Sequence, residues 1–117
     1  MAQHNMKLNS IPFEMIKNGL KTIELRLYDE KRRKINTGDI IVFTKNDGTF
    51  ETVKTKVINL YVFDSFETLY KKLPLEKCGY TSENISSARA EDMEYYYTKS
   101  QQKKYGVIGI EISLLGE

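Results

Sequence analysis

The sequence predicts an α+β fold in which a small, mostly antiparallel β-barrel carries flanking helices. Strongly β-prone residues 40–43 are followed by Asn46-Asp47-Gly48-Thr49, which is a hairpin signal. The stretch 50–63 is long for one strand, and its apolar residues change parity at Val57–Ile58, which indicates a bend at a barrel corner. Short connections of this kind favour antiparallel pairing and closure into a barrel.

The first part of the chain is predicted to form a strand, a helix and a second strand. Met6 and Leu8 alternate with polar neighbours, a pattern typical of a strand. Ser10 is a suitable N-cap, and apolar residues follow at helical spacing until Gly19, which is placed to end the helix. Apolar and polar side chains then alternate through residues 22–28, which predicts a half-buried strand with its apolar set inward.

The second part is predicted to hold two helices and a closing strand. Asp64-Ser65-Phe66-Glu67 has spacing similar to a capping box and opens a helix that Pro74 ends. A polar helix is expected from about Ser87 to Ser100. Residues 105–112 have the composition of a buried strand, with glycines that permit close backbone approach. The predicted order of elements is therefore β-α-β-β-β-α-α-β.

The composition is that of a folded domain, with 40% hydrophobic and 29% charged residues. A length of 117 residues fits one domain, residues 1–117, built around one core. No apolar run approaches the roughly 18 to 20 residues of a membrane span. The N-terminus also lacks the basic-then-apolar pattern of a signal peptide. We therefore expect one soluble domain without a membrane partner.

Charge and cysteine content narrow the function classes. The net charge of +2, from 18 basic and 16 acidic side chains, does not by itself indicate a duplex-binding protein. Basic residues concentrate in 17–34 and 99–104, which predicts one locally basic side. The single cysteine, Cys78, suits a cytoplasmic protein and is expected to be an inert, partly buried thiol. With one histidine, His4, expected in a mobile terminus, neither a zinc site nor another cofactor is predicted.

The best candidate site lies in residues 21–28. Glu24 and Arg26 are two apart on one strand and share a face with Thr22 and Tyr28, while Lys21 stands at the junction of helix and strand. Lys21 and Arg26 can hold a phosphate or a base edge, and Glu24 can orient Arg26 or accept from an exocyclic amine. Composition alone favours a simpler interpretation, a solvated Glu24–Arg26 ion pair worth ~0–1 kcal/mol.

The combination of motifs resembles a known family. Gly19-x-Lys21-Thr22-Ile23-Glu24-x-Arg26, then Ile35-x-x-Gly38-Asp39-x-Ile41-x-Phe43, resembles the ASCH (activating-signal-cointegrator homology) domain of the PUA-like superfamily. Phe66-Glu67-x-Leu69, Tyr95-Tyr96 and Lys104-Tyr105-Gly106-Val107-x-Gly109-Ile110 resemble the later part of small prokaryotic members. The resemblance implies a five- or six-stranded barrel whose cleft binds RNA or a nucleotide. The implied cleft residues are Lys21, Thr22, Glu24 and Arg26, with Asp39 bracing a turn.

The resemblance also raises a hydrolase alternative. One branch of small ASCH proteins looks like amidohydrolases that deacetylate acetylcytidine with a lysine, a threonine and a glutamate. The lysine corresponds to Lys21, but Glu24 stands where the threonine is expected, which disfavours that activity. Hydrolysis of a modified nucleoside or of RNA, with Lys21 and Glu24 as the reactive pair, remains the alternative to binding. A protein-interaction barrel is a third possibility if the Glu24–Arg26 face is flat.

A cluster of aromatic and basic residues near the C-terminus adds candidates for the binding surface. Tyr95, Lys104 and Tyr105 combine stacking planes with cations, as single-strand binding surfaces do. The competing interpretation buries one or two tyrosines of this cluster against the barrel, Tyr96 first. The run Lys31-Arg32-Arg33-Lys34 is expected to be a solvated loop that can add phosphate attraction beside Arg26.

Overall fold

A computed structural model describes residues 1–116, and within them the chain forms five β-strands and four α-helices. The strands are β1 (Gln3–Leu8), β2 (Ile23–Leu27), β3 (Ile40–Lys45), β4 (Thr52–Phe63) and β5 (Val107–Leu114). The helices are α1 (Ser10–Lys17), α2 (Glu30–Arg33), α3 (Phe66–Lys72) and α4 (Lys99–Tyr105). Short 3₁₀ turns between α3 and α4 cover Leu75–Lys77, Ile85–Ser87 and Ala90–Tyr95.

The strands form one mixed sheet in the order β1-β3-β4-β5-β2, which curls into a half-barrel. Only the β1–β3 pair is parallel within the described residues, and the other three pairs are antiparallel. The register between β4 and β5 shifts between Val57 and Asn59. The predicted α+β fold with a mostly antiparallel barrel is confirmed, and so is the bend at Val57–Ile58.

Two groups of buried side chains cover opposite faces of the sheet. One joins α1 to the sheet interior through residues such as Phe13, Ile16 and Phe43. The other packs α3 against the apolar face of β2 and the start of β5. The close packing of Leu73, at the end of α3, against β5 depends on Gly109, because an added Cβ at Gly109 would lie 2.7 Å from Leu73 Cδ1. The predicted strand and its inward apolar set are confirmed in β2, but its polar face is more buried than expected, since Glu24 is buried and Arg26 is half-buried.

Two cationic side chains contact the free edge of β1. Arg26 of β2 donates from Nη2 to the carbonyl oxygen of Lys7 in β1, at 2.9 Å. Lys31 of α2 donates from Nζ to the carbonyl oxygen of Asn5, at 2.8 Å. These carbonyls are two residues apart along β1, so they belong to the same edge. The alternate carbonyls of Ala2 and Leu8 accept from Ile40 and Asn46 on the β3 side, so this edge is the one that does not pair with β3. Side chains from β2 and α2 therefore satisfy backbone groups that a sheet edge would otherwise leave to solvent.

Several local predictions are wrong for identifiable reasons. The expected helix over Ser87–Ser100 is replaced by 3₁₀ turns, and α4 starts later because Thr98 and Gln101 form a capping box. The run 31–34 is largely exposed, as expected, but it is not a loop. Most of it belongs to the short helix α2, which Asp29 caps by accepting from the backbone N–H of Arg32 at 3.2 Å.

The N-terminus is ordered by Asp39. His4 belongs to β1, and its Nε2 lies 2.9 Å from Asp39 Oδ2, so the expectation of a mobile terminus is wrong. The Asp39 carboxylate also accepts from the backbone N–H groups of Ala2 and Asn36. These bonds hold the pKa of Asp39 at about 2, with His4 the largest cause. The predicted role of Asp39 in bracing its turn is confirmed.

Within residues 1–116 we find no helix with the length and hydropathy of a membrane-spanning segment. The same residues bring together no group of three or more His, Cys, Asp and Glu side chains that could ligate a metal ion.

Candidate functional site

A cleft of about 460 Å³ opens between the β1–α1 corner, β2 and the segment 70–97. Its base contains Lys21, Glu24 and Arg26, so the structure brings together three of the predicted site residues. Apolar side chains of the β1–α1 corner line one side, namely Leu8, Ile11, Pro12 and Met15. Residues of the segment 70–97 line the other side, among them Tyr70, Tyr80, Met93, Tyr96 and Tyr97. This concave shape excludes the flat face that a protein-interaction barrel would favour.

Glu24 is the centre of a buried ionic network. Only 3% of the residue is exposed. Its Oε1 lies 2.7 Å from Lys21 Nζ, and its Oε2 accepts from Arg26 Nε at 2.7 Å. The interpretation of Glu24 and Arg26 as a solvated surface pair is therefore wrong. Each carboxylate oxygen has its own charged donor, so the carboxylate fixes both cations at the base of the cleft.

The electrostatics of the network keep Glu24 ionised. Burial raises the pKa of Glu24, but the attraction of Lys21 and Arg26 outweighs burial, and the net pKa lies below its usual value. Burial likewise lowers the pKa of Arg26, but Glu24 and Tyr97 together raise it above its usual value, so Arg26 remains a guanidinium. One carboxylate thus stands between two cations, and the base of the cleft carries a net positive charge that suits an anionic ligand.

Lys21 is positioned by the turn that ends α1. Gly19 takes the positive φ of 77° that this turn requires. The next two backbone N–H groups, of Leu20 and Lys21, both donate to the carbonyl of Met15. The Lys21 side chain then runs along Gly79, where an added Cβ would come within 3.4 Å of Lys21 Cδ. The turn and Gly79 together aim the ammonium group at Glu24.

Thr22 connects strands rather than lining the cleft. Its N–H donates to the carbonyl of Lys77 at 2.9 Å, and its own carbonyl accepts from the N–H of Ile112. Among residues 1–116, those that line the cleft do not include Thr22. Its backbone attaches β2 to the turn that precedes Cys78, which does line the cleft.

The tyrosine run places different residues in the cleft from those predicted. Tyr96 and Tyr97 line it, whereas Tyr95 is 87% exposed and packs edge to face on Tyr96, with the ring centres 5.1 Å apart. The predicted burial of Tyr96 is wrong, because 59% of this residue is exposed. Tyr97 is the more buried residue and stacks on Phe66 at 6.0 Å. The difference follows from the 3₁₀ turn over Ala90–Tyr95, which does not have the periodicity assumed for an α-helix.

A hydrogen-bonded chain of side chains forms one wall of the cleft and was not predicted. The Tyr80 hydroxyl donates to Asp92 Oδ2 at 2.8 Å and accepts from the Tyr70 hydroxyl at 2.7 Å. Burial raises the pKa of Tyr70 to about 12 and raises that of Tyr80 as well, so both phenols stay neutral. Their positions are too far apart in sequence for a motif to reveal the contact. The chain ties the irregular segment 80–92 to α3.

Lys104 and Tyr105 lie outside the cleft lining, at the end of α4. Lys104 Nζ stands 5.0 Å from the centre of the Tyr105 ring. The Tyr105 carbonyl accepts from Arg33 Nη2 at 2.9 Å, and the Arg33 guanidinium lies 4.2 Å above the Tyr28 ring. The binding role of Tyr95, Lys104 and Tyr105 stays a prediction.

Cys78 is a buried part of the cleft wall, with 6% of the residue exposed. Its Sγ lies 3.5 Å from the carbonyl of Pro74, to which it donates. Burial raises the pKa of the thiol to about 12. The thiol therefore stays protonated at neutral pH and is not a nucleophile.

Comparisons with known proteins identify relatives along nearly the whole chain. The sequence model of the ASCH domain matches residues 6–116. The crystal structure of the hypothetical protein PH0355 is 37% identical in sequence and has a TM-score of 0.78, covering 97% of this chain and 99% of its own. The solution structure of PF0455 from Pyrococcus furiosus is 34% identical with a TM-score of 0.72, covering 98% and 99%.

A more distant structure supports the fold alone. ZmASCH from Zymomonas mobilis, solved as an S128A mutant, is 11% identical with a TM-score of 0.66, covering 93% of this chain and 66% of its own. No curated protein matches the chain.

Proposed function

The chain belongs to the ASCH domain family, and from that premise we propose that it binds RNA or a nucleotide in the cleft above Lys21, Glu24 and Arg26. The PUA-related fold of this family is of an RNA-binding type. Identities of 37% and 34% with two relatives establish the family, but the names of those relatives state no activity. The cleft residues therefore have to support the proposal.

The observation that carries the proposal is the combination of a cationic base with aromatic walls in one cleft. Lys21 and Arg26 supply charge-assisted donors for a phosphate or for acceptor atoms on a base edge. Tyr96 and Tyr97 supply aromatic surface on which a base can stack. The volume of about 460 Å³ lies within the range of clefts that hold small molecules.

The state of Glu24 favours binding over hydrolysis. A general base needs a carboxylate that accepts a proton near neutral pH. Both oxygens of Glu24 already face cations, and its pKa lies below the usual value, so it is a weak base. The acetylcytidine-type activity also lacks its threonine at this position.

We test binding with a fluorescein-labelled, mixed-sequence single-stranded RNA of 12 nucleotides, measured by fluorescence anisotropy at two salt concentrations. The wild-type protein is expected to bind, with an affinity that falls as salt rises. Lys21→Ala and Tyr96→Ala are expected to weaken binding. Lys54→Ala, which removes one positive charge from the exposed surface of β4, is the matched control. Absence of binding, or equal affinities in all four proteins, would overturn the proposal.

Hydrolysis is tested separately with acetylcytidine and short RNAs. We expect no turnover above the rate without protein. Turnover that disappears in Lys21→Ala and Glu24→Gln would instead establish the hydrolase alternative. Thermal unfolding of each variant shows whether a loss of function reflects a loss of the fold.

A further inference from the structure

The face of β2 that forms the base of the cleft continues beyond it. Glu24, Arg26 and Tyr28 alternate along one face of the strand and its extension, so a path of about 13 Å leads from Glu24 to Tyr28. Arg26 and Glu24 line the cleft, whereas Tyr28 is covered by Arg33 of α2. The path therefore runs from the cleft to α2.

Positive charge accumulates along this path. Lys31 lies beside Arg26, since their side chains donate to carbonyls only two residues apart on the edge of β1. Burial lowers the pKa of Lys31, and the like charges of Arg32 and Arg26 lower it further. Asp29 pairs with Arg32 at 3.1 Å, and Glu30 is the other carboxylate of this segment.

Asp29 satisfies only part of the hydrogen-bonding capacity of the Arg32 guanidinium. Its Nη1 donates to Asp29 Oδ2, but its Nε is buried without a hydrogen-bond partner. Among residues 1–116 it is the single buried side-chain polar atom in that condition. A nearby anion would lower the electrostatic cost of holding Arg32, Lys31 and Arg26 together.

The far end of the path combines cations with aromatic rings. Arg33 bridges Tyr28, over whose ring it lies, and Tyr105, to whose carbonyl it donates. Lys104 lies over the Tyr105 ring. Alternating cations and aromatic planes are the elements with which proteins hold single-stranded nucleic acid.

We propose that the ligand is a single-stranded RNA longer than one nucleotide, whose backbone leaves the cleft and crosses a cationic strip formed by Lys31, Arg32, Arg33 and Lys104. This inference rests on the proposed function and specifies its substrate class. One nucleotide unit occupies the cleft, and phosphates of the following units contact the strip. The strip adds affinity without sequence preference, because phosphate contacts carry no base information.

The test compares the double variant Arg33→Ala/Lys104→Ala with the control Lys54→Ala/Lys56→Ala. Both remove two positive charges from exposed positions. The control lysines belong to β4, which is the central strand in the order β1-β3-β4-β5-β2. In this order β4 is the strand farthest from the two sheet edges near which the strip lies. Each protein is titrated with the 12-nucleotide RNA from 50 to 200 mM salt and with adenosine and uridine 5′-monophosphates.

We expect Arg33→Ala/Lys104→Ala, the strip variant, to bind the 12-nucleotide RNA more weakly. The magnitude of its slope of log K against log salt concentration should be smaller by about 1.4, which is the value for the loss of two phosphate contacts to a single strand. Its affinity for the monophosphates should equal that of the control. Lys104→Ala alone should lower the slope by about 0.7. Because Lys104 is exposed and its ammonium group lies over the Tyr105 ring, this variant should keep the fold.

Equal RNA affinity and equal slope in the strip variant and its control would overturn the strip while leaving binding in the cleft intact. A parallel loss of monophosphate affinity in the strip variant would also overturn it, because the effect would then originate in the cleft. If the wild-type protein binds neither the RNA nor the monophosphates, the proposed function fails and the strip fails with it.

Discussion

Replacement of Glu24 by glutamine tests the buried network most sharply. The substitution keeps the size of the side chain but removes the negative charge. An amide oxygen can still accept from one cation, while the amide nitrogen then faces the other. Lys21 and Arg26 would remain in place with side chains only 11% and 14% exposed, without the carboxylate that compensates them.

The size of the effect follows from this burial. Removal of one partner from a buried ion pair costs about 3–5 kcal/mol. Because both cations retain some contact with solvent, we expect the lower end, about 3 kcal/mol. An unfolding entropy of about 2.1 cal/mol/K per residue gives about 0.25 kcal/mol/K for 117 residues, so Tm should fall by about 12 °C.

The assay is thermal unfolding at pH 7, followed by circular dichroism. The matched control is Glu67→Gln, which makes the same change in an exposed i,i+4 pair with Lys71 and should move Tm by less than about 2 °C. A fall of less than about 3 °C in Glu24→Gln would refute the reasoning, because the network would then behave as a solvated surface pair.

The same network predicts a pH dependence. A carboxyl whose pKa is lowered by folding stabilises the native state above its unfolded pKa, and that contribution is lost as pH falls through the folded value. For Glu24 the loss therefore occurs below its usual pKa of 4.5. The stability difference between wild type and Glu24→Gln should narrow steadily as pH falls from 5 to 2, and a constant difference would contradict the assignment.

Three further predictions follow from buried contacts. Gly109→Ala places a Cβ 2.7 Å from Leu73 Cδ1 and should cost about 1–3 kcal/mol in urea unfolding; an unchanged midpoint would show that Leu73 moves freely. Because folding lowers the pKa of Asp39 to about 2, its stabilisation should be lost as pH falls from about 4 towards 2, and Asp39→Asn should lose less stability over that interval. Cys78, with a pKa of about 12, should react with a thiol reagent at pH 8 more than about a hundredfold slower in the folded protein than in urea, and equal rates would contradict its burial.

Local patterns in the sequence predicted the strands and the start of the site. Alternation through residues 22–28 indicates a strand, and a spacing of two places Glu24 and Arg26 on one face. The same alternation led to a wrong expectation of solvent on that face. The β1–α1 corner and residues 70–97 shield the Glu24–Arg26 face from solvent. The sequence of the strand does not indicate that either segment packs there.

The segment between α3 and α4 was the least predictable. Its polar sequence has weak periodicity, so the choice between an α-helix and 3₁₀ turns depends on single contacts such as the Tyr80–Asp92 hydrogen bond. That choice decides that Tyr97 rather than Tyr96 packs on Phe66. A one-residue change in phase is enough to alter which ring packs on Phe66, and tertiary contacts set this phase.

The central claim is that RNA occupies the cleft above Lys21, Glu24 and Arg26. The most direct measurement is an NMR titration of the ¹⁵N-labelled protein with the 12-nucleotide RNA. We predict amide shift changes at residues 21–26 and 96–97 of the cleft and at residues 31–33 and 104 of the strip, with residues 54–56 of β4 unchanged. Shift changes confined to surfaces outside the cleft, with residues 21–26 unaffected at saturation, would contradict the account.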